Sequence, residues 1–313
     1  MKTILVTGSK GLLGSALIKN LSQDSNYNVI GHSRENCDLN NTNDTVSYIQ
    51  QQRNNGVDTI IHCAAEVGGV LKNTLYSKTM FYNNLKINNN IIMAAQEAEI
   101  ENFVNLLSTC LFPDKAIYPL TPDQIYNGDP HSSSFGYALA KRLSFQTIQS
   151  YHKVFNLNWL NIIPTNIYGM HDNFHLQNSH VIAALIQKAH KVKSEGGDFT
   201  IWGSGEIYRQ FIYSDDLAKL VIWALENWTK TEGHNDPFMA VNPTEYTIKE
   251  LALIIAKKFD IDENKINFDI SKPEGIKRMT ASSNANWFKF TPLEKGLDET
   301  IKWYNENFNN IRK

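Results

Sequence analysis

The stretch Thr3-Ile4-Leu5-Val6-Thr7-Gly8-Ser9-Lys10-Gly11-Leu12-Leu13-Gly14 decides the fold class. Four of its first five residues are β-branched, which suits a strand. Glycines then recur at three-residue intervals, and Leu12–Leu21 carries a helical pattern. Glycine permits positive φ and lets backbone approach a ligand closely. The helix behind it presents free N–H groups and a partial positive charge to a pyrophosphate. A strand, a glycine turn and a helix in this order predict the head of a nucleotide-binding βαβ unit. Its candidate cofactor-binding residues are Gly8, Ser9, Lys10, Gly11, Leu12, Leu13 and Gly14. The spacing G-x-x-G-x-x-G differs from the commoner G-x-G-x-x-G.

The same alternation continues outward. Strands are predicted at Thr3–Thr7, Asn28–His32, Thr59–Cys63, Asn102–Leu107 and Trp159–Ile163. Helices are predicted at Leu12–Leu21, Thr42–Arg53, Ser77–Glu99 and Tyr137–Phe155. Apolar strands without strict alternation suit a parallel sheet covered on both faces. The fold class is therefore α/β, a Rossmann-type doubly wound parallel sheet. After Pro164 the pattern loosens: helices near Val181–Lys193, Asp215–Trp228, Ile248–Phe259 and Leu293–Phe308, with a strand near Lys265–Asp269, suggest a smaller C-terminal α/β domain.

Composition removes several function classes. The 313 residues carry 30 Lys+Arg and 32 Asp+Glu, a net charge of −2, so no broad field attracts nucleic acid or anionic lipid. No apolar run approaches the roughly 18 residues of a membrane span. The opening residues are too short for a signal-peptide core, and a cytoplasmic protein is expected. Cys37, Cys63 and Cys110 have no metal-ligand spacing, so no metal site is expected and reduced thiols are the default. The 35 asparagines form no tract.

The second strand ends His32-Ser33-Arg34. An acidic residue there suits the ribose 2′-hydroxyl of NAD, whereas a basic one suits a 2′-phosphate. Arg34, with Lys10 in the turn, points to NADP; Asp38 is placed to contact adenine. Further on, Tyr137-Ala138-Leu139-Ala140-Lys141 sets a phenol and an ammonium at i and i+4, on one helix face. A tyrosine near pKa ~10 needs a cation nearby to work as an acid–base group at neutral pH. Y-x-x-x-K alone is common in amphipathic helices. Ser108, at the carboxyl edge of the fourth strand where open sheets bind ligands, adds a third group able to hold a carbonyl.

In this order these residues resemble the extended short-chain dehydrogenase/reductases. Within them, several segments resemble the GDP-L-fucose synthase family: Ala64-Ala65-x-Val67-Gly68-Gly69, Ser108-Thr109-Cys110-Leu111-Phe112-Pro113, Pro164-Thr165-Asn166-Ile167-Tyr168-Gly169, His171-Asp172-Asn173-Phe174, Asn178-Ser179-His180-Val181, Trp202-Gly203-Ser204-Gly205 and Arg209-Gln210-Phe211-Ile212-Tyr213. The resemblance runs from Thr3 to the C-terminus. It implies NADPH-dependent 3,5-epimerisation and 4-keto reduction of GDP-4-keto-6-deoxy-D-mannose to GDP-L-fucose. It also implies that Cys110 and His180 form the epimerising acid–base pair. If the chain stays extended from Ser108 to Cys110, the two side chains share a face. Tyr137 would protonate the C4 oxygen, Ser108 would fix it, and Lys141 would hold the nicotinamide ribose.

Further cofactor contacts are implied for Ala64, Ala65, Leu106, Pro164, Asn166, Ile167 and His180. Asn166, Lys188, Trp202 and Arg209 are implied to meet the sugar nucleotide. In the segment Lys272–Met279 a family basic position falls on Met279, so Lys277 or Arg278 is expected to substitute. Glu66 departs from the lysine or apolar residue of relatives, and Tyr208 stands where some carry a second arginine. The implied division is a cofactor domain over residues 1–168, rejoined by residues 210–240, and a mainly substrate-binding domain over 169–313. A homodimer through helices of the nucleotide domain is also implied.

Other readings have specific marks for or against them. A 4,6-dehydratase would carry Asp-Glu where Thr109-Cys110 stands, and a simple 4-epimerase gives Cys110 and His180 no role. A colitose-type GDP-deoxysugar synthase would use the same groups. A non-catalytic NADP-binding sensor would have no reason to keep all five of Ser108, Tyr137, Lys141, Cys110 and His180.

Overall fold

The fold is that of a computed structural model, which describes residues 1–155, 157–176, 178–228, 236–272 and 275–312. The quoted stretch forms β1 (Lys2–Thr7) and α1 (Leu12–Leu21), followed by β2 (Tyr27–His32), α2 (Thr42–Asn54) and β3 (Thr59–His62). A short helix α3 (Val70–Leu75) and a long α4 (Ser77–Glu97) lead to β4 (Asn102–Leu106), α5 (Phe135–Phe155) and β5 (Asn158–Pro164). The remainder contains β6 (Asn166–Tyr168), α6 (Val181–Glu195), β7 (Phe199–Trp202), β8 (Tyr208–Tyr213) and α7 (Ser214–Asn227). It continues through β9 (Phe238–Ala240), β10 (Glu245–Thr247), α8 (Ile248–Lys258), β11 (Ile266–Asp269), β12 (Arg278–Met279) and α9 (Leu293–Glu306).

The main sheet is parallel, in the order β2-β1-β3-β4-β5-β9. Its apolar runs are explained by burial on both faces. In β1, Ile4 and Val6 pack with α1 and α7, while Leu5 packs with α2 and α4. The same split separates Ile61 from Ile60, Val104 from Phe103, and Leu160 and Ile162 from Trp159. A period-two strand with apolar side chains on both faces reads as an unbroken run.

The chain turns from β1 to β2 on one side and then crosses to β3 on the other. That reversal opens a crevice at the carboxyl ends of β1 and β3, where doubly wound sheets take their ligands.

The segment after β8 returns to this sheet: α7 packs beside α1, and β9 pairs with β5. Residues 229–235 of the returning segment lie outside the described residues. A second core gathers α6, α8 and α9 around Phe174, Phe199, Phe211, Leu251 and Tyr304. Here β8 pairs with β6, β10 and β12, and β7 with β11. A capping box starts α8: the Glu250 N–H donates to Thr247 Oγ1 (3.0 Å) and the Thr247 N–H to Glu250 Oε2 (2.7 Å).

Most boundaries fall within two residues of expectation, with physical reasons for the differences. Helix α4 stops at Glu97 rather than Glu99 because Glu99 adopts φ 52°, which a right-handed helix does not tolerate. After Pro164 the one expected strand, near Lys265–Asp269, forms β11; helix α3 and the other short strands were not predicted, and most are too short to show a period. Among the described residues no helix is long and apolar enough to cross a membrane.

Candidate active site

A cleft of about 910 Å³ runs from the glycine turn, across the carboxyl ends of β1, β3 and β4, to Lys188 and Trp202. Gly8 has φ +67°, and a Cβ there would stand 2.9 Å from the Ala64 nitrogen. A Cβ on Gly14 would overlap the Gly8 carbonyl oxygen, so only glycine lets α1 start this close to the turn. The first-turn N–H groups of α1, which no helical carbonyl can satisfy, lie at the cleft. Gly8, Lys10, Gly11, Leu12, Leu13 and Gly14 all line it. This glycine-lined cradle, with backbone brought close at Gly8, Gly11 and Gly14, fits a dinucleotide pyrophosphate.

Ser9 behaves differently from expectation. Its hydroxyl donates to the His32 carbonyl (3.0 Å), so it ties the turn to β2 rather than lining the cleft. Lys10 lines the cleft but is ion-paired with exposed Glu35. Arg34 is exposed and lines the cleft; Asp38, also at the rim, is held below the usual carboxylate range by hydrogen bonds from Asn40.

Beneath the turn, Thr7 Oγ1 accepts the N–H groups of Cys63 (3.1 Å) and Ala64 (3.2 Å) and meets His62 Nδ1 (2.8 Å). Burial pushes His62 down to about 3, so the ring is neutral: Nδ1 accepts a hydrogen bond from the Thr7 hydroxyl and Nε2–H donates to Asn88 Oδ1 (3.2 Å). This chain of bonds holds the backbone from which Ala64 and Ala65 face the cleft.

At the end of β4 the chain does not stay extended. The Cys110 N–H donates to Ser108 Oγ (3.2 Å), so Ser108 caps a single 3₁₀ turn over Thr109–Leu111. The shared-face expectation, which required extended backbone, therefore does not apply. Ser108 and Cys110 nevertheless both line the cleft. Arg142, on α5, holds the turn by donating from Nε to the Leu111 carbonyl.

Tyr137 is half-buried in the first turn of α5, and Lys141 is 3% exposed one turn on. The Lys141 ammonium lies 5.9 Å from the Tyr137 ring centroid and donates to the Leu106 carbonyl (2.6 Å). Burial pushes Lys141 down to about 8, opposed by Cys63. Burial also raises the Tyr137 phenol, with Cys110 adding in the same direction. Without a further charge or hydrogen bond Tyr137 is thus a proton donor, not a phenolate.

From the second core, His180 stands at the N-terminus of α6, exposed and lining the cleft opposite the β4 edge. Lys188 Nζ lies 5.1 Å from the Trp202 ring and donates to the Thr200 carbonyl (3.0 Å). Burial lowers the Arg209 guanidinium, and the neighbouring Cys110 and Tyr118 oppose that lowering. Pro164, Asn166 and Ile167 line the floor, with the Asn166 amide donating to the Gln210 carbonyl (3.0 Å).

Lys277 and Arg278 do not join the others. Both are exposed and neither lines the cleft. Arg278 pairs with Glu245 (2.7 Å) and lies over the Tyr208 ring, on the outer side of β12. Its neighbour Met279 faces the cleft instead, as strand alternation requires. Pro273 and Glu274 of the same loop lie outside the described residues.

Sequence reasoning missed one group, Asp172, and noted a second, Glu66, only as a departure from relatives. Asp172 is buried beside the cleft; burial raises its carboxyl, and the nearby His180 opposes that rise. Glu66 lines the cleft with its carboxylate bound by Asn83 (2.6 Å) and Lys72 (3.0 Å). Burial raises Glu66, but these bonds outweigh it and hold the group below its ordinary value. Both residues stood in quoted motifs, without a spacing that would reveal their partners.

A glycine-turn nucleotide cradle beside Ser, Tyr and Lys on a doubly wound sheet defines a class of dinucleotide-dependent enzymes. The chain belongs to the NAD dependent epimerase/dehydratase family, whose model matches residues 4–236. Its similarity extends to particular members over their whole length. It is 36% identical to the GDP-L-fucose synthase of Dictyostelium discoideum, covering 100% of this chain and 98% of that one. It is 38% identical to the probable GDP-L-fucose synthase of Drosophila melanogaster, covering 100% of both. Among solved structures, the GDP-L-fucose synthetase of Naegleria fowleri bound to NADP is 31% identical with a TM-score of 0.89, covering 100% of this chain and 96% of that one.

Proposed function

We infer that the chain is an NADPH-dependent GDP-L-fucose synthase, epimerising GDP-4-keto-6-deoxy-D-mannose at C3 and C5 and reducing it at C4. The observation that carries this reading is the convergence of two chemistries on one cleft. Ser108, Tyr137 and Lys141 line it together with Cys110, beyond β4, and His180, at the start of α6. Full-length similarity to GDP-L-fucose synthases supports the same substrate.

The 4-keto group acidifies the C3–H and C5–H bonds, because each carbanion is delocalised into an enolate. Epimerisation then needs one group to remove a proton and another to return it on the opposite face. Cys110 and His180 supply that pair. For reduction, Ser108 Oγ already accepts the Cys110 N–H, leaving its own O–H to donate to the keto oxygen. Tyr137 donates the proton that completes the alcohol. Lys141 spends one N–H on Leu106, leaving two for ribose hydroxyls and its charge for Tyr137. When bound, NADPH supplies the hydride to C4. Arg34 at the rim suits its 2′-phosphate. The net change is one keto group reduced, one NADPH oxidised and one proton consumed.

In this reading residues 1–168, with the returning segment through 240, hold the cofactor, and most of 169–313 holds the GDP-sugar. Lys188 and Arg209 are the cations suited to its pyrophosphate, with Trp202 beside them. The working unit is a cytosolic homodimer through α4 and α5, which expose Tyr82 (52%) and Leu143 (42%).

Incubation with NADPH and GDP-4-keto-6-deoxy-D-mannose should give NADPH oxidation and GDP-L-fucose. Folded protein that leaves NADPH untouched would refute the reading. A product of another configuration would assign a different GDP-deoxysugar synthase, of the colitose type or otherwise.

A further inference from the structure

The exposed histidine of the acid–base pair needs something to hold it, and the structure shows a strut from the opposite wall of the cleft. We propose that Asn73 is a positioning residue for His180, acting through the backbone of Gly69; this rests on the epimerase–reductase reading above. Asn73 is buried within α3. Its side-chain N–H₂ donates to the carbonyls of both Gly68 (2.6 Å) and Gly69 (3.1 Å). Two carbonyl acceptors fix which end of the amide faces them. Its Oδ1 is buried with no hydrogen-bond partner, so the side chain acts here as a donor.

Those bonds hold the Gly68-Gly69 peptides in one orientation. The Gly69 N–H then donates across the cleft to the Asn178 carbonyl (3.1 Å). The two segments are so close that a Cβ on Gly69 would overlap the Ser179 carbonyl oxygen. His180 follows at once, in extended backbone (φ −71°, ψ 163°), and its carbonyl accepts the Ala184 N–H (2.9 Å) to open α6. The histidine is thereby fixed from behind by α6 and from in front by Gly69. No atom of Asn73 is required at the reduction site, because Ser108, Tyr137 and Lys141 are carried by β4 and α5.

The strut makes a separable prediction. Two half-reactions are compared in Asn73→Ala: solvent-deuterium incorporation at C3 and C5 of GDP-4-keto-6-deoxy-D-mannose with NADP⁺, and NADPH oxidation by the already epimerised GDP-4-keto-6-deoxy-L-galactose. Displacing His180 by a fraction of an ångström to an ångström should slow exchange roughly 10–100-fold. Reduction of the epimerised sugar at saturating NADPH should stay close to wild type. Gly69→Ala, which pushes on the same contact from the other side, should give the same split and serves if Asn73→Ala does not fold. A purely structural role would lower both half-reactions together; that result, or unchanged exchange in both variants, overturns the proposal. Wild-type protein inactive in both assays would overturn the parent reading, and this inference with it.

Discussion

Lys141 is the residue whose environment most constrains the chemistry. Its ordinary pKa is near 10.4, and burial brings it to about 8 in the folded chain. Between those values the unfolded chain binds a proton that the folded one has released, so stability rises with pH across this window. The shift corresponds to about 3 kcal/mol. Urea unfolding at pH 7.5 and pH 10 should show this gain in the wild type and lack it in Lys141→Met. Activity runs the other way: the ammonium must be charged, so kcat/KM for reduction should fall above about pH 8, and a flat profile to pH 10 would count against the role. The two acid–base sets should also separate by residue. Cys110→Ser should slow deuterium exchange at C3 and C5, while Tyr137→Phe should chiefly impair reduction. Equal loss of exchange in both variants would contradict the division.

At the scale of elements, the strand–turn–helix unit and the β12 edge make the sharpest statements. Gly14→Ala places a methyl on the Gly8 carbonyl, forcing β1 and α1 apart. Overpacking of this kind costs about 1–3 kcal/mol, and NADPH affinity should fall with it because the cradle itself moves. Unfolding temperature and cofactor titration would read the two effects separately. On β12, alternation turns Met279 inward and leaves Arg278 bound to Glu245. Arg278→Ala should therefore leave the KM for the GDP-sugar unchanged, whereas Met279→Lys should lower it by adding a cation at the cleft. A raised KM in Arg278→Ala would return that arginine to the site.

Over the whole molecule, the parallel sheet and the second core each supply one wall of the cleft, and function depends on their register. A dimer through α4 and α5 would fix the sheet side of that arrangement. Sedimentation at micromolar concentration should give twice the chain mass, and charges placed at Tyr82 and Leu143 together should give the monomer; a wild-type monomer would remove the proposal. The asparagines also belong to this scale. Asn84 exchanges two hydrogen bonds with the Glu66 backbone (2.9 Å each), Asn90 donates to the Leu39 carbonyl (2.8 Å), and Asn105 to Asn161 (2.9 Å). Each joins elements far apart in the chain, which composition alone could not disclose.

By itself the sequence determined the doubly wound sheet, because runs such as Ile4-Leu5-Val6 between glycine turns suit only strands buried on both faces. It also determined the nucleotide cradle and the Tyr137–Lys141 pair, whose geometry is local to one turn or one helix face. Tertiary structure decided the rest. Ser108 bends the chain before Cys110, Glu35 competes for Lys10, Arg278 faces away, and Asn73 reaches His180 through Gly69. These depend on contacts between segments distant in sequence, where neither period nor spacing carries a signal.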